Sequence, residues 1–383
     1  MNYERRFDYF SPDQEFLCCD YLLTGCCFQL DGIRACCLGT MSSPTLVSKE
    51  EIINKEISYE LMVERRWELL LAFNGLNDKP TKACLTCAQM KKMKLKDINL
   101  EYIGGKYLSA GFNIQFYTQC NEKCSYCCYA RENNLIKPQY NILDVLEMFR
   151  ERDRLRGNQD IGFSGGEPTL LKNFDKILDY FDKYNLGFAT VYTNASIYSQ
   201  KLFDLLSQDK IALTVSLDTG MCSTYCRIRG KNFLPRVWEN LVRYRNSGTT
   251  HLQLKYVVTE DNQTDDDMWS FIFMMGALKP NRIYLCPDFP YGDREIPESS
   301  LQFLFKLWHM LKKYIPCELS DFAPAFGDPK FVRFREQWWS FIDRTYKENT
   351  YLRDKNTNPY ALQHFINPIF NNVQYEKILK SHK

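Results

Sequence analysis

The chain has 383 residues, 45% of them hydrophobic, enough for one large domain or two around a sizeable core. Its net charge of +2 gives no electrostatic footprint for nucleic acid, and no basic run addresses a membrane surface. No stretch reaches the roughly 18 apolar residues of a membrane span, and "MNYERRFDYFSPDQEF" is no export signal, so a cytoplasmic protein is expected. In chain order, "CFQLDGIRACCLG" predicts a hairpin turning at Asp31-Gly32, among the doublets Cys18/Cys19, Cys26/Cys27 and Cys36/Cys37. Ser48 and Glu51 form a capping box for one long helix running to Gly75, and "CLTC" follows at Cys84 and Cys87.

Six short apolar runs come next, at 111–119, 161–166, 186–194, 211–218, 251–259 and 281–286, several continuous enough for parallel strands covered on both faces. Helical patterns separate them, opened by Asn141, Thr169 and Thr264. Repeated strand–helix units imply a parallel sheet with right-handed crossovers, open or curled toward a barrel. The amphipathic segments "LQFLFKLWHMLKKY" and "FREQWWSFIDRTY" are expected to cover its open side. Three units are therefore expected: 1–105 cysteine-rich, 106–290 an α/β barrel, and 291–383 a helical cover.

In such folds the chemistry sits at the C-terminal strand ends, and polar and sulfur groups gather at that rim here. Sixteen cysteines in a reducing compartment point to metal or iron–sulfur binding rather than disulfides, and four scattered histidines leave thiolates as the ligands. Cys120, Cys124 and Cys127, spaced C-x3-C-x2-C, can hold a [4Fe–4S] cluster and leave one iron without a protein ligand; a zinc knuckle or redox pair is the alternative. Cys128 is a spare, read as a small buried residue of the following helix. Gly165 and Gly166 let the backbone approach a ligand, Glu167 adds negative charge and Pro168 stiffens the turn. Asn194, Ser216 and Asp218 suit ribose hydroxyls, substrate, or local turn caps. Arg227 and Arg229 offer planar guanidinium groups for a carboxylate, with a solvated surface charge as the alternative for one of them. Lys255 alternates with apolar residues, so it either points into the barrel mouth or lies exposed at an edge. Cys286 ends the sixth strand as a candidate hydrogen-atom donor or a buried hydrophobe, with Cys222 and Cys226, four apart, as rival donors.

"CNEKCSYC", with Tyr126 before its third cysteine, followed about 40 residues later by "SGGEPTLL", resembles the radical S-adenosylmethionine (SAM) superfamily over residues 110–290. The resemblance implies a partial (β/α)6 barrel whose open iron binds the amino and carboxylate groups of SAM, with Tyr126, Gly165, Gly166 and Glu167 among the cofactor contacts. It implies reductive cleavage of SAM to a 5′-deoxyadenosyl radical, an electron donor such as flavodoxin or ferredoxin, and a peptide or small-molecule substrate. The N-terminal cysteines resemble the twitch or SPASM extensions that usually follow such barrels and hold an auxiliary [4Fe–4S] cluster. Cys84 and Cys87 with one member of each doublet, Cys19 and Cys37 in preference to Cys18 and Cys36, are the implied ligands. A structural zinc site or a plain packed domain are the alternatives. Oxidation or crosslinking of a peptide is the expected reaction, with redox-neutral epimerisation or rearrangement as its rival and a non-enzymatic electron carrier as a remote alternative.

Overall fold

The computed structural model describes residues 7–36, 43–77, 84, 90–100, 112–131, 133, 135–151, 159–288, 295–312, 314–319 and 329–348. Among these residues there are twelve strands: β1 (Glu15–Cys18), β2 (Cys26–Gln29), β3 (Gly32–Arg34), β4 (Thr45–Ser48), β5 (Lys91–Lys94), β6 (Phe112–Ile114), β7 (Gln159–Phe163), β8 (Gly187–Thr193), β9 (Ile211–Ser216), β10 (Leu252–Val258), β11 (Arg282–Pro287) and β12 (Cys317–Leu319). β6 to β11 are the six expected strands; each pairs in parallel with the next, and β12 adds a further parallel strand beyond β11. Helices connect most of them, giving the α/β partial barrel. In hydrogen-bonding order the sheet runs from β12 at one edge to β4 at the other and does not close.

The hairpin turns at Asp31-Gly32 as its sequence predicts, but it does not stand in a separate unit. β2 pairs in parallel with β6, Cys26 opposite Phe112 and Phe28 opposite Ile114, while β3 and β4 follow antiparallel. Phe28 and Phe112 meet edge to face at 4.9 Å within one continuous core that also holds Trp67 and Leu254. The expected boundary at 105 falls outside the described residues.

Two helix limits differ from the sequence reading. The capping box at Ser48 and Glu51 is present, yet it opens only Lys49–Ile53; Lys55 then takes a left-handed φ of 60°, and Ser58 caps a second helix, Tyr59–Phe73. Thr169 caps no helix, because the Glu167 carboxylate takes its N–H and hydroxyl; the helix begins at Phe174. Thr264 and Asp267 form a complete capping box for helix Asp265–Leu278. Helices Glu298–Leu311 and Pro329–Glu348 supply Leu304, Trp308, Trp338 and Phe341 to the core. Among the described residues no helix is long and apolar enough to cross a membrane.

The strands are not apolar on both faces. Leu252, Leu254 and Tyr256 of β10 are fully buried in the core, whereas Gln253 and Lys255 between them are half-buried. β11 repeats the pattern with Ile283 and Leu285 against Arg282 and Tyr284. On this polar face Gln29 reaches Gln115 (2.7 Å), Gln115 reaches Ser164 (2.9 Å), and Thr214 donates to Gln253 (3.0 Å). Register sets Tyr192, Thr214, Gln253 and Arg282 in one row, so residues three strands apart share this face of the sheet.

Candidate active site

The loop after β6 carries Cys120, Cys124 and Cys127, and backbone contacts on two sides fix it. Lys123 N–H donates to the carbonyl of Arg229 (3.0 Å) and Ser125 N–H to that of Ile228 (2.8 Å), so two end carbonyls of helix Cys222–Arg229 are satisfied by the loop. On the other side, Gly166 N–H donates to Tyr117 O (3.1 Å) and Glu167 N–H to Gln119 O (2.8 Å). The turn needs glycine because of this neighbour. A Cβ on Gly165, where φ is +103°, would lie 2.5 Å from Tyr117 O, and one on Gly166 would lie 2.1 Å from Gln119 O. What the glycines admit here is the backbone leading into Cys120.

Glu167 is buried, and its carboxylate accepts from Thr169 N–H (3.2 Å), both threonine hydroxyls of Thr169 and Thr193 (2.7 Å each), and Asn194 N–H (2.7 Å). It ties the turn to the end of β8, and burial holds its pKa above the usual carboxylate range. Asn194 faces the cysteine loop: its amide donates to Asn121 Oδ1 (2.8 Å), and its Oδ1 caps Ser196 N–H (2.9 Å).

A second buried network lies on the other flank of the loop. Arg229 is enclosed and donates to Glu122 (3.1 Å) and to Asp218. The other Asp218 oxygen accepts from Val257 N–H (2.9 Å), and Tyr126 OH donates to Asp218 at 2.8 Å. Tyr225 OH donates to Glu122 at 2.6 Å. Asp218, with φ at 64°, thus spends its carboxylate on the protein and is wholly buried. Arg227 is the surface member of the arginine pair, half-exposed against Asp261 at 3.3 Å.

Burial lifts the thiols of Cys120 and Cys124 to about 11 and about 12, while a hydrogen bond from Cys128 lowers Cys127 to about 6. Cys128 is exposed at the start of helix Cys128–Arg131 rather than buried in it. Among the described residues, no three His, Cys, Asp or Glu side chains are gathered closely enough for a single metal ion. One ion at about 2.3 Å from each sulfur requires that crowding; a cubane puts each sulfur on a different iron and needs them farther apart. The donor chemistry fits the latter: three thiols on one fixed loop, electrostatically coupled to one another. The Nε–H of Arg229, buried without a hydrogen-bond partner, also fits; the Arg229 charge acts on Cys124 and Cys127.

The other expected residues fall in different surroundings. Ser216, Lys255 and Tyr284 are register neighbours on β9, β10 and β11, on the polar face. Cys286 is fully buried, its thiol 3.5 Å from the Tyr256 carbonyl, with its pKa raised to about 12 by burial. Cys222 and Cys226 are exposed. Cys18 is buried, and Cys19 caps helix Asp20–Thr24 by accepting from Leu22 N–H at 3.4 Å. Cys36 and Cys84 are half-buried; Cys37 and Cys87 lie outside the described residues. Glu122 and Tyr225 were not anticipated, although an acid set between two cysteines of the C-x3-C-x2-C loop was a readable signal.

Residues 114–275 match the Radical SAM superfamily, a span running from β6 through the cysteine loop and the glycine turn into helix Asp265–Leu278. The chain carries a radical SAM domain. The matching region is the one that the cysteine spacing led us to expect. The radical SAM relatives include GTP 3',8-cyclase of Clostridium botulinum (strain Okra / Type B1), 26% identical over 156 residues, covering 39% of this chain and 49% of that protein. GTP 3',8-cyclase of Synechocystis sp. (strain ATCC 27184 / PCC 6803 / Kazusa) is 29% identical over 129 residues, 33% of this chain and 39% of that protein. The chain thus spans half or less of the length of these relatives. Among solved radical SAM structures, Streptococcus suis SuiB bound to S-adenosylmethionine is 17% identical with a TM-score of 0.44, covering 55% of this chain and 50% of that one. Native anSMEcpe with bound AdoMet and Cp18Cys peptide is 18% identical with a TM-score of 0.43, covering 54% and 63%.

Proposed function

We propose that this protein is a cytoplasmic enzyme that cleaves SAM reductively and oxidises or crosslinks a peptide, taking electrons from a flavodoxin or ferredoxin. The observation that carries this reading is the convergence of the C-x3-C-x2-C loop and the glycine turn at the C-terminal ends of β6 and β7, on a sheet whose polar face carries amides, hydroxyls and charges. Cys120, Cys124 and Cys127 would hold the cluster. Reduced, it supplies one electron that splits SAM into methionine and a 5′-deoxyadenosyl radical able to take a hydrogen atom from substrate. Gly165 and Gly166 keep the turn against the cluster loop, Glu167 and Asn194 fix the end of β8 beside Cys120, and Tyr126 stands on the same loop. Ser216, Lys255 and Tyr284 line the polar face on which a peptide's amides and charged side chains would be held.

Cys84 and Cys87, with Cys19 or Cys18 and Cys37 or Cys36, are the proposed holders of an auxiliary cluster that takes the electron left on the oxidised substrate. The similarity to GTP 3',8-cyclases covers segments of 129 to 156 residues, so it supports the shared cofactor chemistry more than a shared substrate. Epimerisation is the weaker reading: Cys286, its expected hydrogen donor, lies on the same face of β11 as Tyr284 but is fully buried, its thiol against the Tyr256 carbonyl. The test is the triple variant Cys120→Ala/Cys124→Ala/Cys127→Ala. SAM cleavage under dithionite should vanish, and anaerobically reconstituted iron should fall from about eight to about four per chain. Undiminished 5′-deoxyadenosine formation would remove the assignment, and zinc in place of the residual iron would convert the second site to a structural one.

A further inference from the structure

Arg229 sits where the sequence suggests a grip on the cofactor's carboxylate, but its surroundings describe another task. Its guanidinium is enclosed, with its two outer nitrogens given to Glu122 and Asp218. The rings of Tyr126 and Tyr225 lie 5.6 and 5.7 Å from its carbon. Two carboxylates already surround this one cation, so a third, from a small molecule, would add like charge to a buried site that has a surplus of it.

All of these partners lead to the cysteine loop. Glu122 lies between Cys120 and Cys124, and Tyr126 lies between Cys124 and Cys127. The loop's own amides, Lys123 and Ser125, dock on the carbonyls of Arg229 and Ile228. Immediately afterwards Gly230, with φ at +74°, turns the chain away. The same helix end therefore holds the loop by its backbone and by its side chains. The four groups come from three places in the chain: the loop, the end of β9, and helix Cys222–Arg229.

We propose that Arg229, with Glu122, Asp218 and Tyr225, forms a positioning lock that holds the cysteine loop in its ligating shape before any cluster enters, and that Arg229 is not the residue that binds the SAM carboxylate. This rests on the reading of Cys120, Cys124 and Cys127 as cluster ligands. It assigns the four residues to cluster loading, and it leaves the carboxylate of SAM to another donor.

The experiment uses the full chain, with Glu122→Gln and Arg229→Lys as principal variants and Tyr126→Phe as a mild one that removes only the hydroxyl bond to Asp218. Hydrogen exchange of the 120–127 segment is followed in metal-free protein. Iron per chain and the change in the reduced-cluster EPR spectrum on titration with SAM are followed after anaerobic reconstitution. The lock predicts loop exchange faster by roughly tenfold or more in the principal variants, and by less in Tyr126→Phe. It also predicts that iron at the loop site falls by more than half, while the molecules that retain a cluster bind SAM within about twofold of wild type. Unchanged loop protection with full iron overturns the proposal. A tenfold or greater loss of SAM affinity at full iron overturns it in favour of direct carboxylate binding. If Arg229→Lys does not fold, Glu122→Gln and Tyr126→Phe decide the matter by the same readings. Wild-type protein that takes up no iron would defeat the ligand assignment instead, and the exchange of the metal-free loop would still measure the lock.

Discussion

Substituting Gly166 by alanine tests whether the glycine turn exists to admit the neighbouring backbone. The new Cβ would lie 2.1 Å from Gln119 O and 2.6 Å from the carbonyl carbon of Thr118, with no flexible side chain to give way. Reaching ordinary contact, which begins at 3.4 Å, requires the two segments to part by about 1.3 Å. That movement breaks at least one of the bonds from Gly166 N–H and Glu167 N–H to the opposing carbonyls. Overpacking costs about 1–3 kcal/mol and a lost backbone hydrogen bond about 1 kcal/mol, so a loss near 3 kcal/mol is expected. In a chain of 383 residues it lowers Tm by roughly 4 °C. Because Gln119 precedes Cys120, the displacement should also reduce iron uptake. Thermal melting of metal-free protein and iron per chain after reconstitution are the assays. Gly276→Ala is the control: a Cβ there meets nothing within 4 Å, in helix Asp265–Leu278, and alanine should be neutral or slightly stabilising. A Gly166→Ala protein that melts with wild type and loads its full iron would refute the close-approach argument.

Two further outcomes follow from the titrating groups. Paired bonds from Arg65 (2.5 and 2.8 Å) hold Glu51 down to about 2, so the stability it contributes is present above its unfolded value near 4.5 and is lost as pH falls toward 2. Glu51→Gln should cost ~1 kcal/mol at pH 7 for this partly exposed pair and almost nothing at pH 2, read from urea melts at the two pH values. In metal-free protein, Cys127 should be alkylated by iodoacetamide with a midpoint near pH 6 while Cys120 and Cys124 stay slow at pH 7; Cys128→Ala, which removes the lowering hydrogen bond, should move that midpoint up, and mass spectrometry of the modified peptides reads both.

The six parallel strands were legible because their core-facing residues, such as Leu252, Leu254 and Tyr256, recur where strand periodicity requires them. The cysteine loop after β6 stood out in the sequence because its residue types and spacing are local. What sequence could not carry was side-chain partnership at long range. Arg229 lies 107 residues from Glu122, and nothing in either neighbourhood announces the other. The close approach at Gly166 was hidden for the same reason, since the object that excludes a Cβ is the backbone of Gln119, brought alongside only when β6 and β7 pair. The break before Ser58 was signalled by a good capping residue, but the hydrophobic run on either side outweighed it.

The pairing of β2 with β6 has a consequence for how this chain can be cut. Cys26 meets Phe112 across 86 residues of sequence, so the first barrel strand completes its ladder only with a partner from the N-terminal hairpin. An excised 106–290 fragment would carry β6 as an open edge, with unpaired amides and carbonyls beside an uncovered Phe112. Such an edge recruits other chains, so this segment is not a detachable module, and a truncation meant to isolate it would yield an aggregating species instead.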